Sequence, residues 1–198
     1  VRPIGEIVEQ YRLEDVNAAP AFFDQKKLSF FNDTTTPALD TEEFIERARP
    51  FLSLGEPAVD ALRSLATEVQ ERVRTLAEVE PMIEFLVDDE PTIDEASWTK
   101  AITKGRSVPE MLDATIARLH ALGPAEWVPE PIQAAVSQAA VDAGIVNAEG
   151  AAQLSKAQGP VRVAISGRSV GPPLWESIAV LGRDRTLARL QATRLRVG

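Results

Sequence analysis

The sequence contains no cysteine and only one histidine, His120, among its 198 residues. The absence of cysteine excludes disulfides and thiolate metal sites, and it fits a cytoplasmic protein. With a single histidine, no histidine-based metal cluster can form, and a Ser-His-acid triad would depend entirely on His120. Because His120 follows Leu119 on an expected helix, we interpret it as a surface residue. Neither a metal site nor hydrolytic catalysis is predicted.

Long apolar runs and nucleotide-binding signatures are missing as well. No stretch approaches the ~20 apolar residues that span a bilayer, so no membrane partner is expected. The segment Gly167-Arg-Ser-Val-Gly171 is typical of a loop, but it lacks the Gly-Lys-Ser/Thr of a phosphate-binding P-loop. The acidic residues 88–90 could form a carboxylate cluster, although a solvated turn before Pro91 is the simpler interpretation. We therefore expect no catalytic residue, metal ligand or cofactor within the chain itself.

Charge is distributed unevenly along the chain. Residues 160–198 contain seven arginines, two acids and no lysine, which gives a net charge of +5. The whole chain carries −9, so residues 1–159 carry −14. A positive segment on an acidic body suggests a polyanionic partner met at one end. The planar arginine fork favours paired contacts with phosphates or base edges. The seven are Arg162, Arg168, Arg183, Arg185, Arg189, Arg194 and Arg196.

Helical periodicity accounts for most of the chain. Apolar residues advance by threes and fours in one continuous stripe from Val59 to Leu76, and similar stripes recur further on. The only β-like stretch, Val161 to Ile165, is too short to set a fold class. We expect an all-α protein of about ten short helices, with linkers at residues 88–91 and 144–159. Capping boxes that mark helix starts are expected at Asp40–Glu43, Thr92–Glu95 and Ser107–Glu110.

Two motifs at opposite ends of the chain resemble bacterial glutamyl-tRNA synthetases, and most closely the actinobacterial members. The first is the C-terminal series Pro160-Val-Arg-Val-Ala-Ile-Ser-Gly167, Gly171-Pro-Pro-Leu-Trp-Glu-Ser177 and Leu181-Gly-Arg-Asp-Arg-Thr-Leu-Ala-Arg-Leu190. The second, Glu6 to Asn17 followed by Pro20 to Leu28 and Asn32, is similar to the segment after that family's second ATP-binding signature.

The resemblance implies the C-terminal, anticodon-binding part of a glutamate–tRNA ligase. Residues 1–36 would end a stem-contact region, and residues 37–123 and 124–198 would form two consecutive helical-bundle subdomains, an α-helical cage. The HIGH-like and KMSKS-like motifs of the family's catalytic half are not in this sequence, so this part would be non-catalytic. The parent enzyme, a cytoplasmic monomer, would use ATP and Mg²⁺ to attach glutamate to its tRNA in protein synthesis. The implied partner is glutamate tRNA, and not DNA.

The resemblance also assigns candidate anticodon-binding residues. Arg72, on the long helix of the first subdomain, matches an arginine that reads the third anticodon base; the alternative is a surface arginine paired with Glu68. Leu174 and Trp175 match an apolar pair that flanks the anticodon, where unstacked bases need aromatic and guanidinium surfaces. They could instead belong to the core of the C-terminal helix. The full set is Arg72, Arg162, Gly171, Pro172, Leu174 and Trp175, with the Gly171-Pro-Pro173 turn holding the loop rigid.

One departure from the family affects the expected tRNA contacts. Asn32 is followed by Asp-Thr-Thr-Thr-Pro37, where the family has a helix ending in Ile-Arg, so we expect the helix to stop there and one arginine contact to be lost. Two other function classes stay open. The chain could be a free-standing regulatory or protein-interaction module, or a structural helical domain whose arginines only stabilise helix C-termini.

Overall fold

A computed structural model describes residues 2, 4–16, 22 and 24–197; Asn17, Pro20, Ala21 and Phe23, which belong to the N-terminal motif, lie outside them. Within the described residues the all-α prediction is confirmed, with twelve α-helices instead of about ten and no strand beyond an isolated bridge between Val146 and Ala152. The helices are α1 (Ile4–Gln10), α2 (Gln25–Thr35), α3 (Thr41–Ala48), α4 (Glu56–Ser64), α5 (Ala66–Gln70), α6 (Val79–Val87), α7 (Glu95–Trp98), α8 (Val108–His120), α9 (Pro129–Asp142), α10 (Leu154–Ser166), α11 (Leu174–Leu181) and α12 (Arg183–Arg196). Short 3-10 turns lie at Leu13–Asp15, Arg49–Phe51, Leu76–Glu78 and Pro124–Glu126, and a π-turn at Thr99–Thr103.

The helices pack in two groups that share one hydrophobic core. Helices α3, α4, α5 and α6 contact one another around Phe44 and Ile83, and helices α8 to α12 pack around Met111 and Ile178. Helix α6 joins the groups because it contacts both α10 and α11. Helices α8 and α9 lie against each other across the expected boundary at residues 123 and 124. The division into subdomains stays a prediction.

The apolar stripe from Val59 to Leu76 is buried along most of its length, but it does not form one helix. Helix α4 ends at Ser64, and Leu65 adopts φ −135° and ψ 27° before α5 begins. Long-range contacts favour this break over a continuous helix. The buried Gln70 side chain donates to the carbonyls of Thr36 and Leu39, at 2.8 and 2.9 Å, which ties α5 to a loop thirty residues away.

The β-like stretch Val161 to Ile165 is helical, contrary to the sequence pattern. It lies inside α10, so the expected linker at residues 144–159 ends at residue 153. Four of its five residues are at most 1% exposed. A helix buried on most of its sides has apolar residues at adjacent positions, and this obscures the helical period.

The expected helix starts are correct at Asp40 and Ser107, and the third is displaced by two residues. Asp40 caps α3 by accepting a hydrogen bond from the Glu42 amide at 3.0 Å. Helix α7 is capped by Asp94 rather than Thr92, since Asp94 accepts from the Ser97 amide at 2.7 Å. Ser107 precedes α8, but it has a φ of +52° and makes no side-chain capping bond.

The segment after Asn32 also differs from expectation. Helix α2 continues to Thr35, and the hydroxyls of Thr34 and Thr35 donate to the carbonyls of Phe30 and Phe31 at 2.9 and 2.7 Å. Threonine hydroxyls that bond back four residues remain compatible with helical backbone. The helix then ends shortly before Pro37, as a proline requires.

Candidate functional site

The loop between α10 and α11, residues 167–173, is held in one shape by α6 and α7. Gly167 has a φ of +73°, and a Cβ there would lie 2.1 Å from the Thr92 carbonyl oxygen, so only glycine fits. The Gly167 carbonyl accepts from the Asp94 amide at 2.9 Å, and the Ser169 amide donates to the Ser97 hydroxyl at 2.9 Å. These contacts fix a loop of the C-terminal group to a helix 72 residues earlier in the chain.

Arg168 adds a second anchor to the 167–173 loop. Its guanidinium lies 2.6 Å from the carboxylate of Glu84 on α6, and both side chains are partly buried. Sequence reasoning missed Glu84, Ser97 and Ser169, because no local motif marks partners that are more than 70 positions apart. The loop-like character of the segment was correctly predicted.

Three of the predicted site residues meet in this loop. Arg162, on α10, donates from Nη1 to the Pro172 carbonyl at 2.8 Å. Gly171 lies beside the same guanidinium, since a Cβ built on it would be 3.7 Å from Arg162 Nη1. Pro172 is buried, whereas Arg162 and Gly171 are half-buried. The arginine therefore has a defined position under the turn, with part of its surface open to solvent.

The charge of Arg72, in the other helix group, also acts on Arg162. Burial and the positive charge of Arg72 both lower the pKa of Arg162, while Glu176 opposes them. Arg72 lies in the turn after α5 and not on a long helix, and its side chain is 40% exposed. Its Nη1 donates to the backbone carbonyl of Glu68 at 2.8 Å, and the Glu71 carboxylate is 3.8 Å away. The alternative pairing of Arg72 with Glu68 is therefore present, but the acceptor is the backbone carbonyl of Glu68 and not its carboxylate.

Leu174 and Trp175 differ in exposure. Leu174 is 3% exposed and belongs to the hydrophobic core, which matches the packing alternative. Trp175 is half-buried against that core, so it offers a partly open aromatic surface next to the loop. Beside it, Oε2 of Glu176 is buried with no hydrogen-bond partner among the described residues. An anticodon contact through Leu174 stays a prediction.

Most of the other C-terminal arginines have partners within the fold. Three residues of α12 donate to carbonyls near helix ends: Arg183 to His120 at 2.9 Å, Arg185 to Leu86 at 2.6 Å, and Arg189 to Ile165 at 2.6 Å and Phe85 at 2.8 Å. Burial is the main cause that lowers the pKa of Arg189 to about 10. These side chains satisfy carbonyls that a helix end leaves unpaired.

The last two arginines also contact the protein. Arg194 forms an ion pair with Asp113 at 2.9 Å, and the Arg196 guanidinium lies 4.4 Å from the centre of the Trp98 ring. The alternative in which arginines stabilise helix C-termini therefore describes three of the seven, Arg183, Arg185 and Arg189. All five arginines of α12 have a partner within the fold, so the charge asymmetry alone does not locate a polyanion site.

The described residues include no group of three or more His, Asp or Glu side chains arranged to hold a metal ion. His120 is exposed at the end of α8, as predicted, and its backbone carbonyl contacts Arg183. None of the helices in the described ranges has the length and apolar character that a bilayer span needs.

Comparison with known proteins gives consistent matches. Residues 43–194 match the model of a family described as anticodon binding domain. The chain is 42% identical over 199 residues to a glutamate–tRNA ligase of Thermobifida fusca, covering 97% of this chain and 40% of that protein. A glutamate–tRNA ligase of Salinispora tropica is also 42% identical, over 98% of this chain and 42% of its own length. The chain thus spans about two fifths of the curated relatives it matches.

Solved structures share the fold. A glutamate tRNA ligase from Elizabethkingia meningosepticum, in complex with its amino acid, has a TM-score of 0.75 at 17% identity, covering 98% of this chain and 37% of that one. A glutamate-tRNA synthetase from Elizabethkingia anophelis has a TM-score of 0.70 at 19% identity, covering 97% of this chain and 36% of its own.

Proposed function

The chain belongs to the family of anticodon binding domains, and we propose that it binds the anticodon arm of glutamate tRNA as part of a glutamate–tRNA ligase. The relatives that carry this name are about two and a half times as long as the region matched. In this proposal the ligation of glutamate, which uses ATP and Mg²⁺, takes place outside these 198 residues. The tRNA is the partner, and the setting is the cytoplasm, where a protein without cysteine is at no disadvantage.

One observation carries the proposal: residues 43–194 match the anticodon binding domain family, and the predicted site residues Arg162, Gly171 and Pro172 lie together at one fixed turn. The charge of Arg72, 90 positions earlier, also acts on Arg162 and lowers its pKa; Glu176 offsets this unfavourable effect in part, and a bound anion would relieve it further. The Gly171-Pro172 turn beside Arg162 is fixed by α6 and α7, which lowers the entropy lost on binding. A cationic site beside a fixed turn suits a polyanion better than a neutral ligand.

The surrounding side chains suit unstacked RNA bases in particular. Guanidinium planes and aromatic faces both stack on splayed bases, and Trp175 supplies a partly open aromatic surface beside the loop. A guanidinium fork also donates in a fixed geometry to acceptors on base edges. We propose that the more exposed Arg72 reads one anticodon base, namely the third. Arg162 is fixed by Pro172, so we propose that it supports the loop and contacts the backbone or a stacked base.

The test compares the affinity of wild type and Arg72→Gln for glutamate tRNA and for transcripts with a substituted third anticodon base. A good arginine contact with a base is worth about 1–3 kcal/mol in DNA readout, so wild type should prefer the matched tRNA about 5- to 150-fold. The variant should lose most of this preference. Fluorescence anisotropy of labelled tRNA gives the dissociation constants.

Arg74→Gln is the matched control, because Arg74 lies two residues away, is 75% exposed and is 3.9 Å from its nearest carboxylate, Asp33. It should keep the preference for the matched anticodon. Equal preference in wild type and Arg72→Gln would refute the assignment of Arg72. If wild type binds no tRNA even at low salt, the regulatory and structural alternatives take precedence.

A further inference from the structure

We propose that a basic cleft next to Arg162 binds the phosphodiester backbone of the same RNA whose anticodon reaches Arg72. The cleft has a volume of about 840 Å³ and is lined by the cationic side chains of Lys100, Arg106, Lys156 and Arg162. The inference rests on the proposed function. It adds to that function a surface, continuous with the candidate site at Arg162 and Ser169, that recognises phosphates irrespective of sequence.

The charge of this cleft is unusual for a chain with a net charge of −9. No aspartate or glutamate is among the described residues that line it. Between residues 24 and 197, every arginine other than Arg106 has an ion pair, hydrogen bond or aromatic contact within the described structure. The basic side chains without such a contact in that range are Lys26, Lys27, Lys100, Lys104, Arg106 and Lys156. Three of these six line the cleft, so its cations are available to an external anion.

The N-terminus of α10 points to the same kind of ligand. This helix has thirteen residues, and the side chain of its N-cap residue, Gln153, makes no capping bond. The backbone N–H groups of Leu154 and Ser155 have no acceptor among the described residues. Gln153, Ser155 and Lys156 all line the cleft. Unpaired amides and the helix dipole there favour an anion.

The backbone that lines the cleft is closely packed. A Cβ built on Gly105 would lie 2.3 Å from the Ala101 carbonyl oxygen, and one on Gly159 would lie 3.8 Å from the Ala101 Cβ. Ser107, at the rim, holds a φ of +52°, which is rare for a residue with a side chain. The cationic side chains therefore project from a defined frame.

The chemistry of the cleft favours phosphates over bases. Lysine ammonium groups and helix N-termini contact phosphate oxygens, which position a nucleic acid without reading its sequence. No aromatic side chain is among the described residues lining the cleft, so it offers bases no stacking platform. Arg162 and Ser169 line the cleft and also belong to the site around the 167–173 loop. One continuous RNA strand can therefore occupy both places.

The test removes three cations with Lys100→Gln, Arg106→Gln and Lys156→Gln combined in the 198-residue chain. Each single-stranded phosphate contact contributes about 0.7 to the slope of log affinity against log salt. The slope should therefore become shallower by about 2. Raising the salt from 50 to 200 mM should then weaken wild type about 16-fold more than the variant. The matched-to-mismatched anticodon ratio should not change, since Lys100, Arg106 and Lys156 are assigned to phosphates and not to bases.

The control removes the same charge elsewhere, with Arg47→Gln, Arg63→Gln and Arg118→Gln combined. These exposed arginines are paired with Glu43, Glu42 and Asp142. The control should keep the wild-type slope. If the slope of log affinity against log salt becomes shallower by the same amount in both triple variants, the effect is one of net charge and the cleft assignment is overturned. An unchanged slope in the cleft variant overturns the assignment as well.

Failure of the cleft and failure of the proposed function give different results. If wild type discriminates between anticodons and the cleft variant keeps the wild-type slope, only the phosphate-binding role of the cleft is contradicted. Wild type that binds no tRNA at 50 mM salt contradicts both. Far-UV circular dichroism of all variants excludes unfolding as a cause, since Lys100, Arg106 and Lys156 are exposed.

Discussion

Replacing Arg189 by methionine should separate the arginines that hold the fold together from those proposed to bind RNA. Arg189 is 5% exposed, and its guanidinium donates to Ile165, Phe85 and Asp88 carbonyls at 2.6, 2.8 and 2.6 Å. These carbonyls lie at the ends of α10 and α6, in different helix groups. Methionine preserves the apolar stem but removes every donor.

The expected magnitude follows from the bonds that are lost. The Asp88 carbonyl keeps a bond from Arg185, so two carbonyls, of Phe85 and Ile165, lose their partner. A buried group left unpaired costs about 1–3 kcal/mol. Burial of the Arg189 charge is itself unfavourable, which is why its pKa falls to about 10, and methionine removes that cost. We expect a net loss of about 3 kcal/mol of unfolding free energy, or about 6–12 °C in Tm.

Urea unfolding followed by far-UV circular dichroism measures this change. The slope of the unfolding free energy against urea concentration should be similar in wild type and variant, so that the difference in midpoint reports stability. Arg194→Met, on the same helix, removes a more exposed ion pair with Asp113 and should cost at most about 1 kcal/mol. Below its unfolding midpoint, Arg189→Met should bind tRNA as tightly as wild type. Stability within about 0.5 kcal/mol of wild type would refute the capping role inferred from these contacts.

Two further predictions concern the anchors of the 167–173 loop. Gly167→Ala should lower the unfolding free energy by more than about 2 kcal/mol, because φ is +73° and the new Cβ would meet the Thr92 carbonyl. Gly150→Ala is the control: φ is +80° but the space around it is open, so it should cost about half as much. Thermal melts of both variants measure the difference. Hydrogen bonds from the Ser97 hydroxyl and amide lower the pKa of Asp94, so its ionised form stabilises the fold above about pH 4 and this stability is lost as pH falls through the lowered pKa. Asp94→Asn should therefore show a weaker loss of Tm between pH 5 and 2 than wild type, and identical pH profiles would contradict the assignment.

The all-α class could be predicted because helical periodicity is a local property of the sequence. The apolar stripes of α8, α9 and α11 bury the residues expected, such as Leu112, Ile132 and Ile178. Helical periodicity cannot be recognised in the sequence where a helix is buried on more than one face. Val161 to Ile165 is apolar on most sides of α10, so adjacent positions carried no period to detect.

Local sequence was also insufficient where distant groups decided the backbone. Leu65 interrupts the helix that the spacing from Val59 to Leu76 predicts, and Gln70 then bonds to main-chain oxygens more than thirty positions away. Asp94 replaces Thr92 as the cap of α7, although both are capping residues in sequence terms. In each case a tertiary contact outweighs a local preference worth about 1 kcal/mol.

In the candidate site, too, some residues could be found from local sequence and others only from tertiary contacts. The motifs around Arg162 and Gly171-Pro172 could be found in the sequence because they are contiguous, and Arg72 because its surroundings match a family pattern. The five arginines of α12 could not be sorted in this way, since each one has the same charge and the same fork. The carbonyls that Arg183, Arg185 and Arg189 contact, in α6, α8 and α10, lie 24 to 104 positions away.

The sequence by itself therefore determined the helical class, the family resemblance and the residues to consider, because these depend on local pattern. Only the tertiary structure decided which cations are already used. It assigns Arg185 and Arg189 to helix ends, fixes Arg162 under the Pro172 carbonyl, and leaves Lys100, Arg106 and Lys156 together in one cleft. The physical reason is that an ionic side chain is satisfied by whatever acceptor folding places within about 3 Å, and that distance is not encoded in any single segment.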